Sequence, residues 1–143
     1  MTTTDKDEHM IALLRENGRM SVSELARRLH VSRTAAQARL DKLERSEIIK
    51  GYSVRLSAAF AKTEVRALVM IKSPPFNRAK IEASLTKITN LASLFSISGV
   101  FDLAAVISAQ SVEALDTTID KIGNLEGVED TQSSIILSTK VDR

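Results

Sequence analysis

A chain of 143 residues, 43% hydrophobic and 27% charged, can fill the core of one medium domain or two small ones. It has no cysteine, so disulfides and thiolate metal sites are excluded. The formal net charge of +2 conceals an asymmetry: residues 1–57 carry 11 Lys and Arg against 8 Asp and Glu, and residues 58–143 carry 9 against 10. A basic front half and a near-neutral rear half fit a nucleic-acid module attached to a second domain. No apolar run approaches the roughly 20 residues that span a bilayer. The start, MTTTDKDEHM, is too acidic and polar for a signal peptide, so a cytoplasmic location is expected.

Met10, Leu13 and Leu14 form an apolar stripe that predicts a first helix over residues 5–16. Asp5, Asp7 and Glu8 suit its positive end, and Asn17-Gly18 is a natural stop. Ser21 and Glu24 have the spacing of a capping box, followed by the stripe Leu25, Ala26, Leu29. His30-Val31 is expected to turn the chain, with Ser32 as the next N-cap. In the third helix Ala36, Leu40 and Leu43 face inward at i, i+4, i+7. Its other arc carries Thr34, Ala38, Asp41, Lys42 and Arg45, with Arg33 and Gln37 beside them near the N-terminal end. Two short helices with one packed face and one polar face read equally as a plain hairpin or as a helix-turn-helix whose second helix lies on DNA. Ile48, Ile49, Tyr52, Val54 and Leu56 are β-formers and predict a wing or an extended arm.

Residues 57–63 read as a linker between a domain at 1–56 and one at 64–143. Val65, Ala67, Val69 and Ile71 alternate as a strand that Pro74-Pro75 ends. Ile81, Leu85 and Ile88 mark a helix, and residues 91–98 and 103–109 read as strands about a turn at Gly99. Ser111 caps a second helix marked by Leu115, Ile119 and Ile122; Gly123 ends it, and a last strand runs over 128–138. The two helix stripes repeat at a constant offset of 34 residues. Strand–helix–strand, twice, is the ferredoxin-like β-α-β-β-α-β plan, and the whole is α+β. Leu68 and Met70, between Val69 and Ile71, predict that the second face of the sheet is buried too, as in a sheet-to-sheet homodimer.

Arg33, Thr34 and Gln37 are the candidates for base edges: arginine pairs bidentately with guanine and glutamine with adenine. Ala35 and Ala38 offer only methyl contacts, so sequence specificity is expected to be modest. Arg39 and Arg45 suit phosphates or internal carboxylates, and Arg27 and Arg28 suit the DNA backbone or a solvated face. By pattern alone, residues 99–102 form a hairpin turn in which glycine supplies a positive φ and Asp102 caps a backbone N–H. His9 and His30 are read as structural, and no metal or cofactor is expected.

Together these residues resemble the Lrp/AsnC family, over nearly the whole chain. The resemblance rests on Asp5-Lys6-Asp7, Ile11, Leu14, Asn17-Gly18-Arg19, Ser21 with Glu24-Leu25-Ala26, Val31-Ser32, Arg39, Leu43-Glu44 and Ile49-Lys50-Gly51-Tyr52. In the rear half it rests on Gly99-Val100-Phe101-Asp102, Gly127-Val128, Thr131, Ser133 and Lys140. It implies a winged helix-turn-helix followed by a ferredoxin-like RAM domain. It also implies a transcriptional regulator that dimerises through that domain, assembles into octamers or other multiples, and binds an amino acid or related molecule. In the resembled family the hairpin supplies N–H groups to a carboxylate and an acidic residue to an amine. This implies an effector site of Gly99, Val100, Phe101 and Asp102, with Thr131 and Ser133 from the last strand. Three departures stand out. Glu47 replaces a usual glycine, so a different helix cap is expected; Ala35 and Ala36 replace Thr and Val; Phe101 replaces a common Tyr.

Two other functions fit the architecture. An assembly partner without DNA binding would tune a sister regulator, as the alanine-rich third helix allows. A tetrapyrrole decarboxylase would want histidines or arginines in the rear half, where residues 58–143 offer only Arg66, Arg78 and Arg143.

Overall fold

Thr4 opens the first helix. Its hydroxyl accepts from Asp7 N–H at 3.3 Å, and the Asp7 carboxylate accepts from Thr4 N–H at 2.9 Å, a reciprocal box that starts α1, Asp5–Glu16. The computed structural model describes residues 3–57, 59–60 and 64–142. It divides into two compact units, up to Arg55 and from Leu56 onward.

In the front unit α2, Val22–Leu29, starts on Ser21, whose hydroxyl accepts from Glu24 N–H at 3.1 Å. The expected reciprocal half of this box is missing. Glu24 turns instead to Arg27 and Arg28, because two guanidiniums at i+3 and i+4 outcompete one amide for its charge. His30 then takes φ 55°, ending α2 in the left-handed region, and Ser32 caps α3, Arg33–Arg45, through Ala35 N–H. Met10, Leu13, Leu25, Ala26, Leu29, Ala36 and Leu43 make the core.

Glu47 keeps the left-handed geometry that a glycine would give, with φ 56°. The expectation of a different cap is therefore wrong. Closure of the chain from Leu43 O to Ile49 N–H at 3.0 Å holds the turn whatever residue occupies it. Glu47→Gly should relieve about 1 kcal/mol of strain and raise the Tm by a few degrees, measured by thermal unfolding.

Among the described residues no strand lies between α3 and Val65, where the first strand begins, so of the two expectations, a wing or an extended arm, the chain forms the arm. β-forming residues make a strand only where a partner edge exists. Tyr52 holds the arm by donating to Glu44 Oε1 at 2.7 Å; burial first, then Glu44, pushes its hydroxyl pKa up to about 12. Of the expected linker, residues 58 and 61–63 lie outside the described residues.

The rear unit alternates as its sequence does: β1 Val65–Lys72, α4 Arg78–Leu85, β2 Leu91–Ser96, β3 Leu103–Ala109, α5 Val112–Gly123, β4 Asp130–Ile136. The sheet order is β2-β3-β1-β4, antiparallel throughout. This is the ferredoxin-like plan. Ala67, Val69 and Ile71 of β1, with Leu103, Ala105 and Ile107 of β3, pack beneath Ile81, Leu85, Leu115 and Ile122 of the helices. Ile88 joins that core from the turn after α4 rather than from the helix. The opposite parity carries Leu68 and Met70, in register with Val106 and Ala104, with Phe95 beyond and 54% exposed. No described helix is long and apolar enough to cross a membrane.

Candidate DNA-reading helix and effector hairpin

Ala36 and Leu43 are fully buried, and this fixes the rotation of α3. Arg33, Thr34, Gln37, Ala38, Asp41, Lys42 and Arg45 are then exposed together on its other side. Arg33 and Lys42 form no ion pair among the described residues. Gln37 Nε2 donates to Asp41 Oδ1 at 2.8 Å, and Arg45 Nε donates to the Asp41 carbonyl at 3.3 Å.

Arg27 and Arg28 share Glu24 on the exposed side of α2, and their hydrogen bonds, Arg27 first, hold its carboxyl down at about 2. Such exposed pairs are weakened by solvent, so either guanidinium can exchange Glu24 for a phosphate. Arg39 sits differently. Of its two expected roles the structure shows the internal carboxylate: its Nη1 donates to the fully buried Asp7 and, at 2.8 Å, to Thr4 Oγ1. The Thr4 N–H bond, followed by Arg39, draws the Asp7 carboxyl below its usual range against the opposing effect of burial.

At the end of the sheet, Ile97 N–H bonds Asp102 O at 3.0 Å and Gly99 takes φ 119°, closing the hairpin. Val100 projects at its tip, 75% exposed. Asp102 looks inward: Oδ2 accepts from Ser73 N–H at 2.9 Å and Oδ1 from Arg78 Nη2 at 3.0 Å. Ser73 has no mark in the sequence, and Arg78 stands out there only as one of the few arginines of the rear half. A signal was there: a cation in the first turn of a helix opposes its dipole and calls for a compensating anion. Asp102→Ala removes that anion and should cost the rear unit about 2 kcal/mol in urea unfolding, with or without ligand.

Thr131 and Ser133 stand in register with Ile71 and Val69, on the helix-bearing side of the edge strand β4. Thr131 is half-buried beside Gly123, and Ser133 is exposed. Leu103 and Thr131 flank Ile71 on opposite sides, so β1 separates these two residues from the hairpin by about two strand spacings of 4.8 Å. None of the six effector candidates lines the 440 Å³ cavity around Glu64, Asn90 and Ser108 or the 180 Å³ cavity between α5 and Ile135.

Residues 4–44 match the AsnC-type helix-turn-helix domain, and residues 66–143 match the Lrp/AsnC ligand-binding domain. The regulator LysM of Saccharolobus solfataricus, an HTH-type transcriptional regulator, is 29% identical over 136 residues, 94% of each chain. Two solved structures share the fold. The leucine response regulatory protein LrpA of Mycobacterium tuberculosis has TM-score 0.82 and 29% identity, with 98% of this chain and 96% of that one covered. A transcriptional regulator of Neisseria meningitidis in complex with L-methionine has TM-score 0.84 and 26% identity, with 99% and 94% covered. A helix-turn-helix with an exposed polar third helix, joined to a ligand-binding sheet domain, defines a DNA-binding transcriptional regulator. The chain belongs to the Lrp/AsnC family.

Proposed function

We propose that this regulator acts as a homo-oligomer whose DNA affinity is set by a free amino acid. The observation that carries the DNA-binding part is the exposed arc of α3. It gathers Arg33, Thr34, Gln37 and Ala38 for base edges and Arg45 for phosphate, with Arg27 and Arg28 on α2 as further phosphate contacts. Arg39, held by Asp7, positions α3 rather than touching DNA. The apolar second face of the sheet, around Leu68, Met70 and Phe95, supports dimerisation through the rear domain. The N. meningitidis relative solved with L-methionine supports an amino-acid ligand. The hairpin 99–102 is the site we assign to it. Its exposed N–H groups would take the carboxylate, and the lone pairs of Asp102 not used by Ser73 and Arg78 would take the amine. Thr131 and Ser133 of a neighbouring copy could complete that site, since within one chain β1 stands between.

The test is binding to the gene's own upstream fragment at several salt concentrations, with and without an amino-acid mixture. Each phosphate contact contributes a log–log slope of about −0.9. A steep slope and a shift with amino acids support both parts. A steep slope without a shift removes the amino acid. No binding at low salt favours the assembly-partner role instead.

A further inference from the structure

Asp41 places a carboxylate on the helix face that meets a polyanion. By itself it would repel phosphate, and at a base edge it could accept only from the amino groups of cytosine or adenine. Its geometry gives it another use. Gln37 Nε2 donates to its Oδ1 at 2.8 Å, one turn along the exposed side of α3. An ionised carboxylate only accepts, so chemistry fixes the amide: nitrogen toward Asp41, Oε1 away from it.

A free glutamine amide has two N–H donors and one acceptor. It can pair with adenine, accepting from N6 and donating to N7, or turn and donate to the N7 and O6 acceptors of guanine. With one N–H held by Asp41, the remaining edge is one donor beside one acceptor. That edge complements adenine, while guanine would set its O6 against Oε1. We propose that Asp41 is a positioning residue that locks the Gln37 amide and so makes α3 select adenine over guanine at one base pair. This rests on the DNA-reading role of α3 proposed above. Asp41 itself touches no base. A glutamine–aspartate pair at i, i+4 can also merely support a helix, but that role would change stability and leave base preference alone.

The experiment uses the full chain. Selection from random duplexes is followed by titration of the selected duplex and of its counterpart with the adenine changed to guanine. The expected preference for adenine is about tenfold. In Asp41→Ala it falls below about twofold, with tighter binding to the guanine duplex, and Gln37→Ala loses it as well. Asp41→Asn, whose amide can turn to donate as well as accept, no longer fixes the Gln37 amide and also weakens the preference. The proposal is overturned if Asp41→Ala or Asp41→Asn retains the full preference, or if both duplexes shift by the same factor. Binding by the unsubstituted chain with no adenine-selective position sinks this proposal and leaves the DNA-binding role standing. No duplex binding at all sinks both.

Discussion

Asp7→Ala should lower the stability of the front unit by about 3 kcal/mol. The change leaves the Arg39 guanidinium without its carboxylate, in a place where its Nε is already buried without a partner. It also removes the acceptor for Thr4 N–H at the start of α1. Arg39 retains 24% side-chain exposure, so water recovers part of the loss, and the figure sits at the lower end for a broken buried pair. Amide exchange in α1 and α3 of the full chain is the measurement. Faster exchange there and in α2, which shares their core, is expected with the rear unit unchanged, and unchanged protection would defeat the prediction. Asp7→Leu combined with Arg39→Met should be far milder than Asp7→Ala, because it leaves no unpaired charge. The pH dependence follows from the lowered carboxyl. A depressed acid contributes stability that is full above the unfolded value of about 4 and is lost as pH falls below it through the lower folded value. The front unit should therefore begin to loosen only below pH 4.

Met70→Asp should convert the proposed oligomer to monomers. Met70 lies at the centre of the open face of the sheet, paired with Ala104 on one side and Gln132 on the other, with Phe95 beyond Ala104. A carboxylate there is tolerated by a single chain, whose face meets water, but is unaffordable once a second sheet covers it. Sedimentation should report the monomer mass of 15.7 kDa. DNA binding should weaken by a hundredfold or more, since linking two reading helices multiplies affinity by about 10²–10⁴. A Met70→Asp protein of unchanged size would disprove dimerisation through this face.

Local patterns in the sequence carried most of the architecture. The stripes at Leu25/Leu29 and Ala36/Leu43 fixed which side of each helix packs, and so which residues of α3 are left outside. Alternation in Val65–Lys72 and the 34-residue offset between the helices were enough for the ferredoxin-like plan. What escaped was set by contacts between distant positions. Asp7 reads as a helix-start acid, yet its main partner among side chains is 32 residues away. Asp102 reads as a turn residue, yet it binds Ser73 and Arg78 across the end of the sheet. The β-forming residues from Ile48 to Leu56 allowed a wing or an arm; the choice fell to the arm because a strand needs an edge to pair with, and propensity does not supply one. The left-handed turn at Glu47 is likewise dictated by chain closure and not by residue type.

Thr4 has a practical consequence. Its single hydroxyl oxygen accepts from Asp7 N–H and from Arg39 Nη1, so one atom near the chain's beginning ties the first helix to the third. A trimmed gene that begins after this residue, or an affinity tag fused directly in its place, would leave α1 uncapped and Arg39 less firmly held. Recombinant versions intended for DNA work should keep Thr4 and append any tag at the other end of the chain or ahead of a flexible spacer.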